Sequence, residues 1–186
     1  KGGIAHAVVL PTGAANTAFA GQAAIFTLSN QLPAAIVPKV GVVWDVRANS
    51  FGRGAAFVQL QAELADVRKY ARNKSTLLKG ELQTRAWSVA DLEALVPVIE
   101  NKPRLAVRAN RATDIAHLIQ ISQQQKIQLV LIGAAEGWQL ATALAQANIP
   151  VVLDPTDNLP SSFEEIGATA ENAAKLQQAG VRLIIR

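Results

Sequence analysis

The chain has 186 residues, half of them apolar, with 18 Lys and Arg against 14 Asp and Glu and neither cysteine nor methionine. That length and apolar content predict one folded domain over 1–186 and exclude an intrinsically disordered chain. Disulfides and thiolate chemistry are excluded by the missing cysteine, a membrane span by the absence of a long apolar run, and a nucleic-acid partner by the dispersal of the +4 charge.

Taken in chain order, Ile4–Leu10 is a β-branched apolar run closed by Pro11-Thr12-Gly13, a strand entering a turn. Ala14–Gln22, small and polar, is expected to be a loop, and Ala23–Leu28 a second short strand. Pro33 and Pro38 bracket Ala34–Val37, so this piece should be extended yet not central in a sheet, because proline donates no ladder hydrogen bond. Val40–Val46 is a stronger strand, leading through Asp45, Arg47 and Asn49 into the glycine-punctuated loop Ser50–Gly54.

Ala55–Arg72 carries Phe57, Leu60, Leu64, Val67 and Ala71 at helical spacing, with Glu63, Asp66, Arg68 and Lys69 placed off that stripe. The densest cationic group, Arg68, Lys69, Arg72 and Lys74, falls on the polar side and end of this helix, where the macrodipole favours it. Asn73–Ala86 is polar and irregular. Ser88 with Asp91 resembles a capping box, opening a helix with Leu92, Leu95, Val96 and Ile99 inward and Pro97 kinking or shortening it.

From Pro103 the pattern becomes regular. Strands are predicted at Leu105–Ala109, Gln128–Ile132, Pro150–Leu153 and Val181–Ile185. Helices alternate with them at Ala112–Gln125 (Ile115, Leu118, Ile119 and Ser122 inward), Gly137–Ala147 (Leu140, Ala141 and Leu144 inward) and Thr169–Ala179, stopped by Gly180. Near-continuous apolar strands imply a parallel sheet covered on both faces. An α/β architecture of the (β/α)8 TIM-barrel type, incomplete in this chain, fits best, with an open Rossmann-like parallel sheet as the alternative. No Gly-x-Gly-x-x-Gly follows a strand, which weighs against a dinucleotide site.

Chemistry in a parallel barrel sits where strands end. That rule selects Asp45, Arg108, Asn110, Arg111, Gly133, Glu136 and Asp154. Arg108 and Asn110 share one face of their strand and, with Arg111, can hold a carboxylate or phosphate. The structural alternative has Asn110 capping the next helix and Arg111 pairing with Asp114. Gly133-Ala134-Ala135-Glu136-Gly137-Trp138 is small enough to let backbone amides approach an anion. Within it Glu136 is either a general base or hydrogen-bond acceptor, or an acid complementing the helix dipole, and Trp138 is a packing residue or a platform. Asp154 orients a substrate or caps its loop. His6 and His117, far apart in sequence, lack the spacing of a zinc site, and Gly-x-Ser-x-Gly is absent.

Several stretches together resemble the imidazolonepropionase-like branch of the amidohydrolase superfamily. They are Gly3-Ile4-Ala5-His6-Ala7-Val8-Val9, Leu64-Ala65-Asp66-Val67-Arg68-Lys69-Tyr70-Ala71-Arg72-Asn73, Asp91-Leu92-Glu93-Ala94-Leu95-Val96-Pro97-Val98, Arg111-Ala112-Thr113-Asp114-Ile115 and Ile149-Pro150-Val151-Val152-Leu153. Asn172-Ala173-Ala174 and Ala179-Gly180-Val181 complete a resemblance that spans nearly the whole chain. It implies a barrel hydrolase acting on C–N bonds of amides or cyclic amides, with one or two divalent metals activating water. The ligands in such enzymes are an early His-x-His, a His after each of two mid-barrel strands, and a late Asp.

On the resemblance, the early motif would precede Lys1 and the late Asp would follow Arg186, so both ends read as cut. The two mid-barrel positions hold Arg108 and Ile132, neither of which ligates a metal. This implies a degenerate metal site and an isolated chain without activity, with zinc or another divalent metal bound only if further sequence supplies ligands. The expected ligand is then a small-molecule substrate or anion at Arg108, Asn110, Arg111, Glu136 and Asp154. A homo-oligomer through open sheet edges is a further expectation. The family often carries export signals, implying an extracytoplasmic location, although the residues from Lys1 onward show no signal peptide.

Overall fold

The computed structural model describes residues 5–12, 19–28, 35–47, 52–74, 89–154 and 159–186. Strands β1 (His6–Val9), β2 (Phe19–Thr27) and β3 (Ala35–Asp45) form an antiparallel meander. From β3 the sheet continues in parallel through β4 (Leu105–Ala109), β5 (Leu129–Gly133), β6 (Val151–Leu153) and β7 (Leu183–Ile185). Between β3 and β4 run α1 (Arg53–Arg72) and α2 (Val89–Ile99). Helix α3 (Ala112–Gln125) follows β4, a 3₁₀ turn (Gly137–Leu140) leads into α4 (Ala141–Gln146) after β5, and α5 (Asn172–Gln178) precedes β7.

Strand order in the sheet is the order of the chain. A doubly wound sheet instead reverses its order at a switch point and has helices on both faces. Here the main buried cluster joins helical residues (Leu60, Leu64, Val67, Leu92, Leu95, Ile115, Leu118, Leu144, Leu176) to Val42, Trp44, Leu105, Val107, Leu129, Leu131 and Val151 on one face. Alternation along the strands sends Ala23, Val43, Ala106 and Ile132 to the other face, where they form a separate cluster flanked by Val130 and Val152. His6 and Val8 of β1 line the same trough of about 890 Å³ as Ile184 and Ile185 of β7, so the two edges face one another across it. The sheet is therefore a curled half-barrel, mostly parallel, with helices outside. It fits a partial barrel, and the chain-order sheet is not the doubly wound open sheet of the alternative.

The antiparallel start departs from the parallel pattern of the strands from β4 onward and from the (β/α)8 expectation. Phe19–Gln22, expected in a loop, belongs to β2, because pairing with β3 supplies a ladder that its small residues do not advertise. Val37 and Pro38 lie inside a strand of 11 residues. Pro38 is tolerated because β4 joins β3 only from Val42, and because the β2–β3 register slips there: Ala23 faces Gly41 while Ile25 faces Val37. Lys39 adopts a φ of 60° in this bulge.

Among the helices, α3 buries Ile115, Leu118, Ile119 and Ser122 as expected, and Asp114 with them. Its C-terminus closes with Lys126 in the left-handed region and the Ser122 hydroxyl donating to the Ile127 carbonyl at 2.8 Å. In α2 it is Val98, beside Leu92 and Leu95, that is fully buried, while Val96 and Ile99 are partly covered. Pro97 falls in the last turn, where the helix is already ending. The Gly137–Ala147 helix is split into its 3₁₀ turn and α4, and α5 begins at Asn172 rather than Thr169. Gly180 takes a φ of 84°, the conformation a helix stop requires. In α1, Glu63 is in the core, 3 % exposed, whereas Ala71 is exposed. Ser88 and most of Asn73–Ala86 lie outside the described residues.

Candidate binding site at the strand ends

The parallel strands end together, and their register builds one level of the inner wall. Asp45 faces Arg108, Arg108 faces Ile132, Ile132 faces Val152, and Val152 faces Ile184. Just beyond that level, Asp154 and Arg186 meet at 3.4 Å. Arg47, two residues past Asp45, grips its carboxylate from the side, with Nε to Oδ1 at 3.0 Å and Nη2 to Oδ2 at 2.9 Å. Burial by itself would raise the Asp45 carboxyl, but the Arg47 hydrogen bonds and the charges of Arg47 and Arg108 outweigh it and hold the group below its ordinary value. Burial pushes the Arg108 guanidinium down, opposed by Asp45 and reinforced by Arg47 and Arg186. Arg108 donates to the Pro11 carbonyl at 2.9 Å.

Asn110, 7 % exposed, turns its amide to Glu165, donating from Nδ2 to Oε1 at 2.8 Å. The other Glu165 oxygen accepts from the Ser161 hydroxyl at 2.6 Å. Arg47, Arg108, Asn110, Ile132, Gly133, Glu165 and Arg186 line a cavity of about 100 Å³ at this rim. Gly133 is required there: its φ is 94°, and a Cβ would stand 2.2 Å from Asn110 Oδ1. Gly133→Ala is expected to cost about 1–3 kcal/mol and to uncouple Asn110 from Glu165. Urea unfolding and the shift of the Asn110 side-chain amide resonances would measure both; an unchanged resonance would refute the second effect.

Glu136 and Arg111 stand apart from this cavity. Neither Asn110 capping α3 nor an Arg111–Asp114 pair forms. Glu136 instead reaches across from the loop after β5, its Oε2 accepting from the Ala112 amide and its Oε1 from the Gly167 amide, each at 2.8 Å. Arg111 donates to the Phe163 carbonyl at 3.1 and 2.7 Å. Trp138 completes the clamp: its indole donates to the Gly167 carbonyl at 2.8 Å and its ring lies under Lys175 at 4.3 Å. These contacts fasten the segment after β6 over the ends of β4 and β5. Asn110, Arg108 and Asp154 thus face the rim, while Arg111 and Glu136 hold its frame. Reading strand ends alone missed Glu165 and Arg186, since Glu165 comes from a loop and Arg186 follows a very short strand; Arg47 was visible just beyond its strand.

His6 is exposed on β1, and His117 is exposed on α3, stacked on Phe57 with ring centroids 5.2 Å apart. Among the described residues no group of three or more His, Asp or Glu is placed to hold a metal ion. Arg108 offers only hydrogen-bond donors and Ile132 has no ligating atom.

No protein-family model and no curated protein matches the chain. Its fold is similar to that of an amidohydrolase from Thermotoga maritima MSB8, with a TM-score of 0.82 and 21% sequence identity, the match covering 99% of this chain and 51% of that one. The fold is therefore amidohydrolase-like, and the chain spans about half the length of the structure it matches.

Proposed function

We propose that the chain is the central part of an amidohydrolase-like barrel of the imidazolonepropionase-like branch, descended from hydrolases of C–N bonds in amides or cyclic amides. In this reading the metal positions at the ends of β4 and β5 have become Arg108 and Ile132. The chain by itself then holds a small-molecule ligand at its strand ends and does not hydrolyse it. The observation that carries the reading is the pairing of Arg108 with Ile132 in register on the inner wall of an amidohydrolase-like half-barrel. The same pair favours a second reading, a non-catalytic binding protein on this fold. Among the described residues β1 and β7 are the outer strands of the sheet, and a second copy would add strands there. The reading assigns no role to nucleic acid or membrane; no described helix is long and apolar enough to cross a bilayer.

A thermal-melt series with Zn²⁺, Mn²⁺ and EDTA tests the reading. A metal at a hundredfold over its Kd would stabilise a native site by about 2.7 kcal/mol, raising Tm by roughly 5–10 °C for a chain of this size. No metal-dependent rise is expected. A rise reversed by EDTA would refute the degenerate site and restore metal-assisted hydrolysis.

A further inference from the structure

Arg108 and Glu165 line the same cavity of about 100 Å³, yet they are not paired with one another. Among the described residues neither lies within ion-pair distance of any opposite charge, whereas Arg47 and Arg186 in the same lining already have Asp45 and Asp154. Each of the two has hydrogen-bond partners of its own. The Arg108 guanidinium is drawn to the Pro11 carbonyl, and the Glu165 carboxylate is held by the Asn110 amide and the Ser161 hydroxyl. Those hydrogen bonds use only some of the donors of Arg108 and the lone pairs of Glu165. Counting Asp45 and Asp154, the rim has three cations and three anions, so it carries no net charge to favour a simple anion or cation. A cavity lined by a partly buried cation and an anion that are not paired with each other is instead complementary to a ligand with both charges.

We propose that this cavity binds the head of a small zwitterion of the α-amino acid class, with its carboxylate on Arg108 and its ammonium group on Glu165. Arg47 and Arg186 line the same cavity, each held by its own acid. The volume suits such a head group, and the side chain of the ligand would lie toward the open rim. Planar guanidinium–carboxylate geometry supplies orientation, and the ammonium end supplies discrimination, since a ligand lacking it leaves Glu165 unpaired against a desolvated neighbour. The proposal rests on the reading above that the strand ends are the ligand-binding side.

The test is calorimetric titration and thermal melting of the chain with L-alanine, propionate and ethylamine at matched ionic strength. Saturable binding of L-alanine is expected, with propionate and ethylamine each at least tenfold weaker. Glu165→Gln should remove the preference for alanine over propionate, and Arg108→Lys should weaken alanine at least tenfold, while Arg72→Met on the far end of α1 changes neither. Propionate binding as tightly as alanine would make this a plain anion site and overturn the proposal, as would no saturable binding at all. A Zn²⁺ response without an alanine response overturns it too, and restores the metal hydrolase. Alanine binding indifferent to Zn²⁺ and EDTA supports it independently of the chain's hydrolase ancestry.

Discussion

Replacing Arg53 by methionine is expected to destabilise the fold by roughly 3 kcal/mol, lowering Tm by about 6–12 °C for a chain of this size. Arg53 opens α1 and bridges two acids from distant parts of the chain, Asp114 in the first turn of α3 and Glu164 in the segment after β6. The Asp114 side chain is only 4 % exposed, so losing its guanidinium leaves a carboxylate in the core without its cation. Its place at the N-terminus of α3 recovers part of the loss through the helix dipole, which sets the figure toward the low end of buried-pair deletions. Arg53→Met combined with Asp114→Asn should recover most of the stability, because the stranded charge is then gone. Urea unfolding of the two single variants and the double measures the coupling. A loss below about 1 kcal/mol for Arg53→Met would put the bridge among solvent-screened surface pairs.

Glu63 sets the second large effect, through pH. Its Oε1 accepts from Gln59 at 2.8 Å, while Oε2 is buried without a partner. Burial pushes its carboxyl up to about 8, against the Gln59 hydrogen bond and with help from Asp66. A carboxyl raised on folding favours the folded state while protonated. Its stability is therefore fully present below the unfolded value near 4.5 and is lost as pH rises through about 8. The total is on the order of 4–5 kcal/mol if the site stays dry. Glu63→Gln keeps the shape and the Gln59 contact without the titration. Its unfolding free energy should lie within about 1 kcal/mol of the parent at pH 5 and exceed it by several at pH 9. Curves that run parallel across that range would show that water already solvates the carboxylate.

What could be read from the residues depended on how local the physics was. Helix α3 was legible because its buried residues recur within one stretch and answer to one period. Glu63 was not, and the reason is instructive: it lies three residues after Leu60 and four before Val67, so its spacing puts it on the buried stripe while its charge argued it off. Spacing prevailed, as it did for Asp114 beside Ile115 and Leu118. Only the first part of β2, Phe19–Gln22, was hidden, because its small residues become a strand only when β3 is alongside. At the rim, the rule that strand ends carry polar groups located Arg108, Asn110 and Asp154, but partners cannot be read from it. Glu136 and Arg111 have the sequence positions of ligand-binding residues, and the segment over Phe163–Gly167, remote in sequence, converts them into fasteners.

The neighbour-to-neighbour strand order bears on how the molecule is made. Leu105 meets Leu129, and Leu131 meets Val151, so the β4–β5 and β5–β6 pairings each close a short loop through one helical crossover. Loop closure of that size costs little entropy, and such local topologies search quickly. The sheet can thus grow by accretion, each new strand templated on the one the ribosome has just released, with α1 and α2 as the one long detour before β4. A lesion in β4 interrupts this growth on both sides, since β4 pairs with β3 and with β5.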